Sequence, residues 1–378
     1  MKIVIDDKIP FLEKAFENIA ETVFLSGPEI TATDLQDAQA LFVRTRTKVN
    51  KELLANTPVK FVGSATIGFD HVDLDWLQEK QIAFSNAPGC NAFAVMQYVI
   101  CALKEIAYVQ GHSLEGKVLG VVGVGNVGSV VAKAAQGLGM EVLLNDPPRA
   151  EIEGEKAFTH IEEIAKRADY ISFHVPLQKD GDHCTYRMVN AHYLSLMRDS
   201  AWLINTSRGE VVDNTALLFA LRSGCLEGAV LDVWENETSE INSELLSLVD
   251  ISTPHIAGYS LEGKVNATQQ IVRAWAEHFD IDALKTFSVD ADLLFPPMVP
   301  HINLQEFDDD IAALLHALRC TYDLRKDSQN LKAFPAEFES LRSNYYFRRE
   351  FSAHKVSLNP QAEVLAQRLK ALGFEVGK

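Results

Sequence analysis

The sequence predicts an α/β protein built on a doubly wound parallel sheet, and three observations carry that expectation. Short apolar runs alternate with stretches of helical period along most of the 378 residues. The runs are near-continuous, as strands covered on both faces require. Between residues 120 and 146 a strand, a glycine-rich turn, a helix and a second strand ending in an acid follow one another.

Taken in order, residues 3–5, 40–43 and 61–64 read as strands, and 10–19, 51–55 and 73–80 as helices. The spacing is that of parallel βα units. Polar loops follow two of these strands, at residues 44–48 and 65–70. Ligands of open α/β sheets sit at strand carboxyl ends, so both loops are candidates for substrate contact. Arg44, Arg46 and Lys48 either hold an anion there or form a solvated basic turn. A turn at 86–91 leads into a long helix, 92–109, which holds the first domain boundary. Strands follow at 117–122, 141–145, 170–175, 202–206, 228–233 and 251–253, and then one long helix over 260–286. Residues 294–300, with three prolines, read as a linker. Residues 301–378 show two amphipathic helices, at 306–320 and 360–372, a strand at 351–358, and no cluster of reactive side chains. They read as a separate α+β domain.

Composition narrows the function classes. The formal net charge of -17 argues against nucleic acid or an anionic membrane as partner. No apolar run is read as long enough to span a bilayer. The 5 cysteines include no Cys-x-x-Cys pair, which argues against a zinc site and fits reduced thiols in the cytoplasm.

Gly123, Gly125 and Gly128 have G-x-G-x-x-G spacing. In a Rossmann-type unit the first allows the sharp turn, the second admits a pyrophosphate and the third lets helix pack on strand. The free N–H groups at the helix start favour an anion. Asp146, after the second strand, can accept both ribose hydroxyls and would repel a 2′-phosphate, so the expected cofactor is NAD. Arg149 is the one nearby cation that leaves NADP open.

Three later strand ends carry reactive side chains: Arg208 after 202–206, Asp232 and Glu237 around the end of 228–233, and His255 after 251–253. A guanidinium matches a carboxylate. An imidazole can take a hydroxyl proton while hydride leaves the same carbon. A carboxylate on the second ring nitrogen fixes the tautomer. The set suits oxidation of a 2-hydroxy acid. Glu235 competes with Glu237 for the carboxylate role, Asp213 competes as a structural partner for Arg208, and His174 stands at another strand end.

The glycine loop, the segment Asn205-Thr206-Ser207-Arg208-Gly209 with Val211-Val212-Asp213, and the spaced Asp232, Glu237 and His255 resemble the D-2-hydroxyacid dehydrogenase family over residues 1 to about 285. The resemblance implies a flavodoxin-like substrate (lid) domain of residues 1–95 plus 256–290, clamped against an NAD-binding domain of residues 96–255. Stretches such as Ala65-Thr66-Ile67-Gly68-Phe69-Asp70-His71 and Gly258-Tyr259-Ser260-Leu261-Glu262-Gly263-Lys264, with the extra segment 291–378, resemble a branch of that family. This implies a small phosphorylated hydroxy acid as substrate and a homodimer formed through the C-terminal domain. It also implies Arg208, Glu237 and His255 as catalytic residues. Arg44, Thr45, Thr66 and Tyr259 would contact substrate. Gly123, Gly125, Asn126, Val127, Gly128, Asp146, Val175, Thr206, Ser207, Arg208, Asp232 and Gly258 would contact NAD, with no metal. Thr238 stands where many members have proline. A sister dehydrogenase of another hydroxy acid, or a non-catalytic NAD sensor that binds a protein, are the rival readings.

Overall fold

The computed structural model describes residues 1–13, 15–237 and 241–377. The chain forms two compact units, residues 1–91 with 260–295 and residues 92–259 with 296–378.

The first unit holds a five-stranded parallel sheet of β1 (Lys2–Asp6), β2 (Glu21–Leu25), β3 (Ala40–Val43), β4 (Phe61–Ser64) and β5 (Ala83–Ser85), in the order β2-β1-β3-β4-β5. That is the flavodoxin-like order. The helix Leu261–His278 lays Ile271, Val272, Trp275 and Ala276 on a core with Ile3, Ile5, Phe42 and Phe61, which is why the chain returns here. Ser260 caps it by accepting from Gly263 N at 2.9 Å. It is shorter than the 260–286 expected. Asp280, with φ 55, turns the chain before a short helix, Asp282–Lys285. The helix expected at 10–19 is replaced, Lys14 aside, by successive turns. Phe11 (φ 69) and Asn18 (φ 63) lie in the left-handed region, and Ala15 N bonds Leu12 O at 3.1 Å in three-residue spacing. Leu12, Ala15 and Phe16 still reach the core, so the apolar period survives without the helix.

The second unit holds six parallel strands: β6 (Val118–Val122), β7 (Glu141–Asn145), β8 (Tyr170–Phe173), β9 (Trp202–Asn205), β10 (Gly228–Leu231) and β11 (Ile251–Ser252). Their order is β7-β6-β8-β9-β10-β11. The direction of winding reverses between β6 and β8, which places the ligand crevice at the carboxyl ends there. The helix Ala92–Val109 corrects one expectation: by length and composition it could cross a membrane. It is a core helix instead, with 83% of its length buried. Its buried Glu105 takes both Arg319 Nε and Nη2 at 2.6 Å.

Residues 296–378 share that core. A second parallel sheet, β12 (His301–Asn303), β13 (Lys355–Ser357) and β14 (Glu375–Val376), is joined by helices Asp310–Thr321, Leu324–Ala333, Phe338–Ser343 and Glu363–Leu372. The sequence reading saw two of these helices and one strand. The rest are short or, like Leu324–Ala333, mostly polar, although the few apolar residues of that helix keep a helical period. Leu314, Leu365 and Leu369 lie in one cluster with Val99, Val131 and Ala135. Helices Asn126–Gly137 and Glu363–Leu372 approach so closely that a Cβ on Gly137 would overlap that of Ala371. Gly137→Ala should therefore lower the melting temperature, although alanine in a helix is favoured over glycine by about 1 kcal/mol. A thermal melt with a raised midpoint would show that this contact yields.

Candidate active site

The three glycines divide their work as the spacing predicts. Gly123 has φ 85, and a Cβ there would stand 2.6 Å from His174 O. A Cβ on Gly128 would overlap the Gly123 carbonyl oxygen, so the helix packs against the turn only because residue 128 is glycine. A Cβ on Gly125 would meet nothing within 4 Å. Gly125 is the N-cap of helix Asn126–Gly137, at the point where the sheet order reverses. Open space before unpaired helix N–H groups fits a pyrophosphate. Asn126 and Val127 open the helix, and Val175 packs beside Gly123. Asp146 Oδ2 accepts from Val124 N at 2.8 Å, which ties the second strand to the loop. Arg149 is committed elsewhere: its Nε and Nη2 bond Glu153 at 2.7 and 2.8 Å, and Nη1 bonds Val124 O. These residues fit NAD, with no free guanidinium fork for a 2′-phosphate.

Strands β9, β10 and β11 end level, with Asn205, Leu231 and Ser252 in register. The reactive residues stand just beyond. The Asn205 side chain shapes the first turn, its Oδ1 accepting from Ser207 N and Oγ at 3.0 and 2.8 Å while its Nδ2 donates to Arg208 O at 2.9 Å. Arg208 Nη1 donates to Ser207 O at 2.9 Å. Asp213 caps the next helix and pairs with Arg187 at 3.7 Å. Glu235 is likewise structural, taking Arg187 Nε at 3.1 Å and Asn214 N at 3.3 Å. That leaves Glu237, whose Oε2 lies 2.7 Å from His255 Nδ1. Burial pushes the Glu237 carboxyl up, but the hydrogen bond and charge of His255, the charge of Arg342 and the Trp234 N–H outweigh it and hold it below the usual range. An ionised Glu237 makes Nδ1 the donor and leaves Nε2 as the basic nitrogen. His174 is a poor alternative. Burial pulls its pKa down to about 3, and its ring is spanned by Ser172 at 2.9 Å and Thr206 at 3.3 Å.

Asp232 is 1% exposed and its carboxylate orders the turn after β11. Its Oδ1 accepts from Thr253 Oγ1 and Ile256 N at 2.6 and 2.8 Å, and its Oδ2 from Ala257 N at 2.9 Å. Thr253 spends its one proton on Asp232, so Tyr98, 2.7 Å away, is the donor to Thr253. Together they fix the turn that carries His255 and Gly258. Thr238 lies outside the described residues.

In the first unit, Arg44, Thr45 and Arg46 follow β3, with Thr45 and Arg46 exposed. Thr66 bonds Ser64 Oγ at 2.7 Å and Gly68 O at 2.8 Å. Lys264 stands near Arg44: burial first, then the Arg44 charge, pull its pKa down to about 8. Tyr259 is in the second unit, where its hydroxyl accepts from Arg342 Nε at 3.2 Å. Arg342 also lies 3.9 Å from Glu237 Oε2. The sequence reading found nothing reactive beyond residue 300 and missed it. The density of aromatic and basic residues at 342–349 was the available signal.

Residues 98–257 match the NAD-binding domain of D-isomer specific 2-hydroxyacid dehydrogenases, and residues 293–373 match a domain of unknown function, DUF3410. Solved structures show the same fold. An Aquifex aeolicus D-lactate dehydrogenase with NAD and lactic acid is 28% identical at a TM-score of 0.62, over 76% of this chain and 99% of that one. An NAD-bound 3-phosphoglycerate dehydrogenase of Entamoeba histolytica is 26% identical at 0.62, over 77% and 98%. Full-length relatives are nearer. The erythronate-4-phosphate dehydrogenase of Bacteroides fragilis is 44% identical over 94% of this chain and 99% of its own, and that of Proteus mirabilis 43% over 99% of both. The chain belongs to the erythronate-4-phosphate dehydrogenase family, a branch of the D-isomer specific 2-hydroxyacid dehydrogenases.

The glycine geometry separates two variants. Gly128→Ala should lower the melting temperature through its backbone clash. Gly125→Ala should fold as well as the parent yet bind NADH weakly, read by nucleotide fluorescence. A Gly125→Ala protein with parental NADH affinity would remove the pyrophosphate from that turn.

Proposed function

We propose that the protein oxidises 4-phospho-D-erythronate to 2-oxo-3-hydroxy-4-phosphobutanoate with NAD, a step of pyridoxine (vitamin B6) synthesis. The observation that carries this is the Glu237–His255 contact at 2.7 Å in a dehydrogenase whose relatives share almost its whole length. NAD, when bound, would supply the acceptor for the hydride from C2. It would be held by Gly123, Gly125, Asn126, Val127 and Gly128 at the pyrophosphate, Asp146 at the ribose, and Val175, Thr206, Ser207 and Gly258 beyond. His255 Nε2 accepts the C2 hydroxyl proton, since Nδ1 is held by Glu237. Arg208 holds the substrate carboxylate as a planar fork of donors. Asp232 acts through the turn that carries His255. Arg44, Thr45 and Thr66 hold the rest of the substrate, with Arg44 and Thr45 at the phosphate, and Tyr259 adds a hydroxyl. A sister reaction on 3-phosphoglycerate is the second reading, favoured by the fold shared with that enzyme. The exposed Phe334, Tyr346 and Phe347 of the C-terminal segment support a homodimer formed there. Five free cysteines support a cytoplasmic setting.

NADH formation with 4-phospho-D-erythronate, side by side with 3-phosphoglycerate, tests the reading. A faster reaction with the three-carbon acid would reverse the choice. His255→Ala should lower turnover by roughly 10²–10⁴-fold, as lost acid–base catalysis does. Lys264 supplies a pH signature. A lysine loses its proton as pH rises through its pKa, here about 8, so the positive charge near Arg44 weakens above that pH. KM for the phosphorylated substrate should rise above pH 8, and Lys264→Met should raise KM at lower pH and flatten the profile. A KM slope unchanged in that variant would take Lys264 away from the phosphate.

A further inference from the structure

We propose that the C-terminal segment supplies a positioning residue for the proton transfer: Arg342 braces Tyr259 and the Glu237–His255 pair against each other. The inference rests on His255 as the acid/base group.

The geometry is that of one cation serving two loops. Arg342, on helix Phe338–Ser343, donates from Nε to the Tyr259 hydroxyl at 3.2 Å. Its Nη1 lies 3.9 Å from Glu237 Oε2, the same oxygen that takes His255 Nδ1 at 2.7 Å. The two side chains are 19% and 21% exposed, so water screens their attraction only in part. Burial works against the charge on Arg342, but Tyr259, Glu237 and Glu339 outweigh it and the group stays ionised. Among the described residues, the charged and polar groups that act on Glu237 are His255, Arg342 and the Trp234 N–H.

The support is fixed from behind by its own segment. The Tyr345 ring meets Tyr259 edge-on at 6.2 Å, and its hydroxyl donates to Asp327 Oδ2 at 2.7 Å. Arg348 is fully buried, 4.0 Å over the Tyr322 ring, and its Nη2 donates to Ala257 O at 2.7 Å and Ala94 O at 3.2 Å. Residues 257 and 259, on either side of Gly258, are therefore both held by residues 338–348. Residue 342 lies outside the NAD-binding domain at 98–257 and inside the segment matching a domain of unknown function. That segment thus takes part in the chemistry.

A cation beside the pair disfavours adding a proton to it as a unit. Without the cation, the pair protonates at higher pH and the base is lost sooner on acidification. The test uses Arg342→Gln, Arg342→Lys and Tyr259→Phe in the full chain. It reads NADH affinity, melting temperature and the pH profile of kcat/KM with 4-phospho-D-erythronate. Arg342→Gln should keep NADH affinity, lower kcat about 10–100-fold, the range seen when an outer partner of a metal-bound histidine is lost, and move the acidic limb to higher pH. Arg342→Lys should return the limb to its parental position with only part of kcat, because an ammonium lacks the fork. Tyr259→Phe should lower kcat with the limb in place. Parental kcat and limb in Arg342→Gln overturn the inference. So does a loss of kcat that tracks NADH affinity with an unmoved limb, which is a merely structural role. Should Arg342→Gln fail to fold, the other two variants decide it, and parental kcat in both overturns it. Failure of the underlying reading shows separately, as a wild type that oxidises no 2-hydroxy acid or a His255→Ala variant at full rate.

Discussion

His255 stands at φ 56, a backbone state that a side-chain-bearing residue keeps only when its surroundings over-determine it. Asp232 supplies that determination. Its carboxylate takes three donors from residues 253–257, and its carbonyl takes the His255 N–H at 2.7 Å. Asp232 is itself placed by the sheet, since its N–H bonds Asn205 O at 3.0 Å in line with the β9–β10 register. One register thus sets the distance between the guanidinium turn at 205–208 and the imidazole turn at 253–257. A slip of a strand would displace both.

The local charge pattern runs against the whole. A chain of net charge -17 repels anions at long range. The strand ends nevertheless gather Arg208 and Arg342 in one unit and Arg44 and Lys264 in the other. Carboxylates nearby are spent: Asp232 on backbone donors, Glu235 on Arg187, Glu237 on His255.

Residues whose chemistry follows from local pattern were legible in the sequence. The glycine spacing foretold a crowded Gly128 and an open Gly125, because those demands arise within a few residues. The strand-end positions of Arg208, Glu237 and His255 followed from counting apolar runs. The choice of Glu237 over Glu235 did not, since it depends on Arg187, 48 residues away from Glu235. The NAD contact of Asp232 is implied by the family resemblance alone; its burial and its hold on residues 253–257 are tertiary facts with no local signal. The turns at 10–19 kept a helical apolar period without the helix, so periodicity alone misled. For Arg342 the aromatic and basic density at 342–349 marks the stretch, but nothing near it in sequence names Tyr259 and Glu237 as its neighbours.

The shared cluster that runs from Val95 to Phe374 has a bearing on how the polypeptide is made. A nascent chain that has emerged to Gly137 owns a glycine-rich turn and a helix, but the face of that helix meant for Leu365 and Leu369 has no cover. About 240 further residues must leave the ribosome first, roughly 10–50 s at the usual pace of synthesis. Through that interval the dinucleotide fold carries an uncovered apolar flank, open to chaperones or to neighbouring nascent chains. Stop codons that shorten the tail would leave that flank bare for good.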